Sequence, residues 1–487
     1  MKRSSIHIPA QGLNPEALLQ KMTDARHEDT RWRDGKAFCL VYHPGEEYAS
    51  AVKAAYNMFF SENALNPSAF PSLRRFESEV VGMATDLLHG GRKATGTMTS
   101  GGTESILLAV KTAREWARAN RPGITAPEVV IPNSAHPAFH KAFHYFGVKG
   151  VLVGVGEDYR VDMNEVRAAI NENTIMLVGS APCYPHGVID PIRDLSDLAL
   201  ERDLLLHVDA CIGGFLLPFA RKLGHAVPDW DFCLPGVTSI SADLHKYAYA
   251  AKGASVILYR DANLRKYQFY VYTDWSGGIY GSSTMLGTRP GGAIAAAWAA
   301  LNVIGMEGYL KLADRTMKAT QAIKAGIEAV PELQVLGDPD MSLIAFGSEQ
   351  LDIYALGDEL NLMGWHFDRQ QFPASLHLTV SQVHYGLVDE FLADLQVAVQ
   401  KARKLSWNKV STGVQVAAFK GLKAVLPPGL FRKLQDAYSS GGVGHGRTAA
   451  MYGMMDALAG SGDLKDLVKN ALHGFYTLEN NRLAPEK

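Results

Sequence analysis

The chain has 487 residues, 47% hydrophobic and 20% charged, the balance of a globular protein too long for one small core. A formal net charge of −2, without a long basic run, gives no reason to expect nucleic acid as a partner. Cys39, Cys183, Cys211 and Cys233 form no C-x-x-C pair, and the N-terminus lacks an apolar leader, so reduced thiols in the cytoplasm are expected.

In chain order, residues 1–65 read as an N-terminal arm with helical pieces in NPEALLQKMTDARHED and EEYASAVKAAYNMFF. Pro67 and Pro71 interrupt the pattern before a helix through ESEVVGMATDLLHG. TSGGTES is a small-residue turn, followed by a strong helix pattern from Ile106 to Asn120. The amides of that helix start, the glycines, and the hydroxyls of Ser100, Thr103 and Ser105 make a cradle for an anion. It is neither a Walker A loop nor G-x-G-x-x-G, so nucleotide motifs do not apply.

From Glu128 strands and helices alternate: EVVIP, HPAFHKAFHYFG, VKGVLVGV, VDMNEVRAAINEN, IMLVGSA, IRDLSDLALERD, LLLHVDA, VTSISAD and ASVILY. Repeated βα units of this length predict an α/β fold, with a large domain over 66–304 built on a mostly parallel sheet. A helix is expected from Gly291 to Ile304, and the nearest approach to a membrane span, AIAAAWAALNVIGM from Ala293 to Met306, is too short to cross a bilayer. A smaller α+β domain is expected over 305–410, with strands in LQVLG, SLIAFGS and SLHLTVS. The tail, 411–487, carries helical patterns in VAAFKGLKAVL and DLKDLVKNALHGFY around a glycine-rich SSGGVGHGR.

Two residues suggest the chemistry. LLLHVDA has the pattern of a buried parallel strand whose carboxyl end carries Asp209, and ligands of open α/β sheets sit outside such ends. SISADLHK then supplies Lys246 in a small-residue turn. A buried aspartate and such a lysine suit pyridoxal phosphate (PLP): the lysine amine, its pKa depressed by burial, holds the aldehyde as a Schiff base, and the aspartate keeps the ring nitrogen protonated. An isolated D…HK is also compatible with a plain buried ion pair. His136, His140 and His144 fall at i, i+4 and i+8, but no H-E-x-x-H or suitably spaced carboxylate accompanies them, and no metal is expected. A flat imidazole at His136, at the mouth of a strand–helix turn, suits stacking on a heterocycle instead.

With cradle, stacking histidine, Asp209 and Lys246 in this order, the sequence resembles the group II PLP-dependent decarboxylase family of fold type I. Within it, the sequence is most similar to the sphingosine-1-phosphate lyase branch. The matching stretches are NPSAFPSLRRFE, TSGGTESILLAVKTAR, APCYPHGVIDPI, LLHVDACIGGF, SADLHKYAYAAKGASVILYR, WSGGIYGSSTMLGTRPGG and GRTAAMYGMMDAL. The resemblance implies Lys246 as the cofactor lysine, Asp209 as ring-nitrogen partner and His136 as the stacking residue. It implies Gly102, Thr103 and His245 around the cofactor phosphate. Thr288 would reach the phosphate of a neighbouring subunit, which implies a homodimer with shared active sites.

Tyr42, Asn63, Tyr184 and Lys252 fall where the lyases place substrate and acid–base groups, although Tyr42 and Tyr184 also suit aromatic packing at an interface. Tyr184 or Lys252 would move protons during retro-aldol cleavage of a phosphorylated long-chain amino alcohol; Lys252 would alternatively attract a substrate phosphate. Asn66 stands where the better-known lyases read NPLHP with a histidine, so weaker phosphate affinity or a different head group is expected. The alternative reading, amino-acid α-decarboxylation, needs a site for an α-carboxylate, for which Arg289 is a candidate.

Overall fold

The expected apolar runs of the first half gather into one sheet. The computed structural model describes residues 7–406 and 462–475. Three helices precede the sheet: α1 (Pro15–Ala25), α2 (Glu46–Met58) and α3 (Pro71–Leu87). Pro71 begins α3 rather than only breaking a pattern, because at a first helical position its missing N–H has no acceptor to lose.

The central sheet contains β1 (Thr95–Thr99), β2 (Glu128–Pro132), β3 (Lys149–Val153), β4 (Thr174–Ser180), β5 (Leu205–Asp209), β6 (Ser239–Ala242) and β7 (Ser255–Tyr259). Their order is β1-β7-β6-β5-β4-β2-β3. Strands β2 to β6 pair in parallel, and β7 runs antiparallel to both β6 and β1. The mostly parallel α/β sheet expected from the sequence is therefore present, with one reversed strand. The connection between β6 and β7, residues 243–254, forms no helix of the kind that usually carries a parallel crossover. β1, TGTMT, carries no run of large apolar residues to mark it; pairing along β7, from Thr95↔Tyr259 to Thr99↔Ser255, makes it a strand.

The linking helices are α4 (Gly102–Asn120), α5 (Ala138–Phe146), α6 (Met163–Ala169), α7 (Ile192–Glu201), α8 (Leu217–Lys222) and α9 (Ala262–Arg265). An exposed hairpin of β8 (Tyr270–Trp275) and β9 (Gly278–Ser282) follows. Helix α10 (Gly291–Glu328) then packs on α2, α3 and α8. By length and composition alone it passes for a membrane span, but half of its apolar stretch is buried within the fold. Gly305, with φ 60° and ψ 175°, breaks its helical path.

A second sheet, in the order β10-β11-β13-β12, is antiparallel throughout: β10 (Gln334–Val335), β11 (Leu343–Gly347), β12 (Asp368–Gln371) and β13 (Ala374–Thr379). Helices α11 (Ile353–Leu362), α12 (Val388–Ser406) and α13 (Gly462–Phe475) complete the described elements. Strand β12, DRQQ, has no apolar alternation and was not legible as a strand.

The chain divides into two units. Of the described residues, the smaller holds 7–37, 351–366, 397–406 and 462–475, and the larger holds Phe38–Gln350 and Phe367–Gln396. The boundaries read from the sequence at 66 and 305 fall inside the larger unit, the second of them at the Gly305 break. Of the tail motifs, VAAFKGLKAVL, SSGGVGHGR and GRTAAMYGMMDAL lie outside the described residues, whereas DLKDLVKNALHGF forms α13.

Candidate active site

Because β5 and β6 are parallel neighbours, Asp209 and Ser241 lie side by side where the strands end. Asp209 is buried, and its Oδ1 accepts hydrogen bonds from the Cys211 amide at 3.0 Å and the Ser241 hydroxyl at 3.2 Å. Behind it, His207 lies on the same face two residues earlier. Its Nδ1 pairs with Ser239 Oγ at 2.9 Å and its Nε2 with Ser241 Oγ at 3.2 Å. Burial pushes the His207 pKa down to about 4 against the opposing pull of Asp209, so the imidazole is neutral at pH 7. A buried polar chain from Ser239 to Asp209 thus fixes the carboxylate's orientation.

The turn after β6 carries Asp243, His245 and Lys246. Lys246 Nζ lies 3.0 Å from Asp243 Oδ2, and His245 Nε2 lies 3.6 Å from the same oxygen. The sequence suggested a depressed lysine pKa. Burial, the largest single influence, does pull that way, but Asp243, Cys211 and Asp209 together outweigh it and hold the Lys246 ammonium above its ordinary value. Asp243 was not anticipated, although its place three residues before the lysine was a usable signal.

This turn meets the TSGGTES turn. A side chain at Gly102 would come within 2.7 Å of Cys211 Sγ and 3.0 Å of both Asp243 oxygens; one at Gly101 would meet His245 at 3.4 Å. Only glycine at 102 lets the start of α4 approach so closely. The first-turn amides of α4 have no acceptor inside the helix, which leaves donors for an anion beside His245. Thr103 and Ser100 are exposed there. Ser105 is not part of the cradle: fully buried, it bonds Thr99 Oγ1 at 2.7 Å and Ser255 Oγ at 2.9 Å, joining β1, α4 and β7. Glu104, also unanticipated, accepts from the Ser100 amide at 2.6 Å and the Met285 amide at 2.8 Å, closing the turn.

The donors and carboxylates fit PLP. The aldehyde would meet the Lys246 amine, the ring nitrogen Asp209, and the phosphate the α4 amides with Thr103 and His245. Asp243 Oδ1, buried without a hydrogen-bond partner, marks polar capacity left beside Gly102.

The remaining candidates divide. His136 is exposed in the turn between β2 and α5, where its Nδ1 accepts from the Ala138 amide at 3.1 Å. It precedes α5, so the three histidines do not share one helix face; His140 and His144 are exposed along α5. Thr288 is exposed between β9 and α10, and its hydroxyl has no hydrogen-bond partner among the described residues. Tyr42 packs edge-on against Tyr247 at 4.9 Å, with Lys252 Nζ 5.2 Å from its ring centre. Burial, then Tyr184, Asp243, Cys39 and Asp368, raise the Tyr42 pKa, which places this phenol within electrostatic reach of both Asp243 and Tyr184. Lys252 is lowered by burial and by Lys246, with Asp243 opposing.

The Tyr184 hydroxyl donates to Asp368 Oδ2 at 2.6 Å. Burial and then that carboxylate raise its pKa. The Asn63 side chain accepts from the Leu65 amide, and its backbone bridges to Pro290. The exposed Asn66 uses its side-chain oxygen locally, accepting from the Ser68 amide at 2.9 Å in an Asx turn. Arg289 is committed elsewhere: it makes a bidentate pair with Glu77 at 2.6 and 2.9 Å and also donates to the Met98 carbonyl.

Residues 31–349 match the pyridoxal-dependent decarboxylase conserved domain. The chain is 46% identical to a sphingosine-1-phosphate lyase of Arabidopsis thaliana over 404 residues, covering 81% of this chain and 74% of that protein. It is 44% identical to sphingosine-1-phosphate lyase 1 of Rattus norvegicus over 400 residues, covering 82% and 70%. A solved sphingosine-1-phosphate lyase of Burkholderia pseudomallei K96243 superposes with a TM-score of 0.80 at 42% identity, over 88% of this chain and 99% of that one. With its fold type I sheet, its Asp209–Lys246 pair of strand ends and these relatives, the chain belongs to the pyridoxal-dependent decarboxylase family and is a PLP-dependent lyase.

Proposed function

We propose that this enzyme cleaves the Cα–Cβ bond of a phosphorylated long-chain amino alcohol, as a sphingosine-1-phosphate lyase does, releasing an aldehyde and phosphoethanolamine. One observation carries the choice over decarboxylation. The guanidinium offered for an α-carboxylate, Arg289, is neutralised by Glu77, while two phenols and an amine able to handle a hydroxyl proton gather near Lys246. Bound PLP supplies an electron sink for the pair released at Cα. The chain's own residues do the rest in this reading. Asp209, oriented by Ser241 and His207, faces the ring nitrogen; the α4 amides, Thr103 and His245 hold the phosphate; His136 covers the ring. Tyr184 takes the hydroxyl proton, and Lys252 either shares that task or attracts the substrate phosphate.

A homodimer completes the proposal. Tyr270, Val271, Tyr272, Trp275 and Ile279 are all exposed on the β8–β9 hairpin, and a lone two-stranded ribbon carrying that much apolar surface calls for a covering partner. A second copy would also bring Thr288 to a neighbouring cradle. The four free cysteines support a reducing, cytoplasmic setting.

Mass spectrometry of products after incubating the PLP-loaded protein with dihydrosphingosine 1-phosphate tests the reaction. A long-chain aldehyde with phosphoethanolamine is expected, from a preparation that sediments at twice the chain mass. No turnover with cofactor bound, and carbon dioxide released from an amino-acid panel, would replace cleavage by decarboxylation.

A further inference from the structure

Tyr184 is held at both ends by one face of the second sheet. Asp368 on β12 and His377 on β13 are register partners, so their side chains emerge together on that face. Asp368 Oδ2 accepts the Tyr184 hydroxyl at 2.6 Å, and His377 Nε2 donates to the Tyr184 carbonyl at 2.8 Å. The His377 ring lies against the phenol with centroids 4.4 Å apart. Gln370, two residues along β12, donates to the Pro185 carbonyl at 2.9 Å. Three side chains on one face of this sheet therefore fix the position and the hydroxyl direction of Tyr184.

That direction has a chemical consequence. The phenol proton points at a carboxylate, so the oxygen's lone pairs are what remain for a substrate. A buried phenol beside a carboxylate resists ionisation, so Tyr184 can accept a proton only if its own leaves at the same time. Among the described residues no ammonium or guanidinium pairs with Asp368 to oppose its taking one. The other titratable groups facing it are Cys39, Tyr42 and His377, and burial keeps His377 neutral at pH 7.

Resting on the cleavage reading above, we propose that Asp368 is the proton acceptor behind Tyr184. As the Tyr184 oxygen takes the proton of the substrate's β-hydroxyl, its own proton passes to Asp368 Oδ2. The substrate O–H bond, the original phenol O–H bond and the Cα–Cβ bond break, and a new phenol O–H and a carboxyl O–H form. The O–H electron pair becomes the second bond of the aldehyde carbonyl, and the Cα–Cβ pair stays with the amine fragment. Cα later gains one proton, which balances the one taken from oxygen, so no outside acid is consumed. Asp368 acts through Tyr184 and is a positioning residue in that sense.

Asp368→Asn keeps the size and an acceptor oxygen but cannot take the proton. In the PLP-loaded full chain it should lower kcat about 100-fold, the order of a lost general base, with KM within about twofold. Asp368→Glu should recover most of the loss. A second readout does not depend on turnover: the 13Cζ resonance of Tyr184 in tyrosine-labelled protein, assigned by its loss in Tyr184→Phe. That signal should move in Asp368→Asn. Parental kcat in Asp368→Asn, or a Tyr184 signal blind to the substitution, overturns the proposal. If the parent releases no aldehyde, the cleavage reading falls, and the Tyr184 resonance alone decides whether Asp368 receives its proton.

Discussion

Asp243, His245 and Lys246 lie within four consecutive residues, at a turn between two strands of the central sheet. Tyr184 and its carboxylate partner Asp368 are 184 residues apart, and meet because a loop after β4 docks on the edge of a different sheet. The first arrangement is carried by local sequence and by parallel strands that open on the same side. The second exists only through packing. Their supports differ likewise. Asp209 is oriented by a buried chain of serine and histidine groups, whereas Tyr184 is gripped by side chains of half-buried β12 and of β13. Anchoring a cofactor calls for rigid, buried charge, and moving a substrate proton calls for groups that stay near the opening of the site.

The hardest way to break this contrast is at the anchor. Lys246→Ala should abolish turnover, by on the order of 10⁴-fold or more, and should yield no covalently attached cofactor after borohydride reduction. Mass spectrometry of the reduced protein reads this directly, and attachment that survives the substitution would remove Lys246 from its role.

Acid should weaken both regions together. His207 in the anchor, and His186 and His377 beside the Tyr184 loop, all have pKa values pushed down to about 4, chiefly by burial. The unfolded chain takes up these protons near the ordinary histidine value of 6.5, and the folded chain only near 4. Their contribution to stability is therefore complete above about pH 6.5 and declines as the pH falls toward 4. Asp190, raised by burial to about 6, works in the opposite direction, as does Asp340, also raised chiefly by burial. Between pH 7 and pH 4.5 the net loss should be on the order of a few kcal/mol. Urea-unfolding midpoints measure it, and His207→Gln should flatten the slope; a midpoint independent of pH would contradict the buried, neutral assignment.

The smallest effect sharpens the substrate side. Asn66→His should lower KM for the phosphorylated amino alcohol about threefold, below about 1 kcal/mol, because the position is exposed and the charge is screened. The loss of the Asx turn to Ser68 limits the gain. Unchanged KM would show that this position does not read the head group.

The sequence by itself determined the parts of this protein that depend on neighbours along the chain. Buried runs such as EVVIP and LLLHVDA read as strands covered on both faces, and an aspartate ending one run and a lysine in the turn after the next mark the cofactor end. Strands without an apolar run, TGTMT and DRQQ, became strands only through their partners β7 and β13. Tertiary structure alone decided which charges neutralise one another. Arg289 went to Glu77, and the Tyr184 hydroxyl to Asp368. The physical reason is range. Backbone pattern is set over a few residues, but an ion pair or hydrogen bond forms only across a few ångströms of space, and no spacing along the chain records which distant side chains the fold will bring that close.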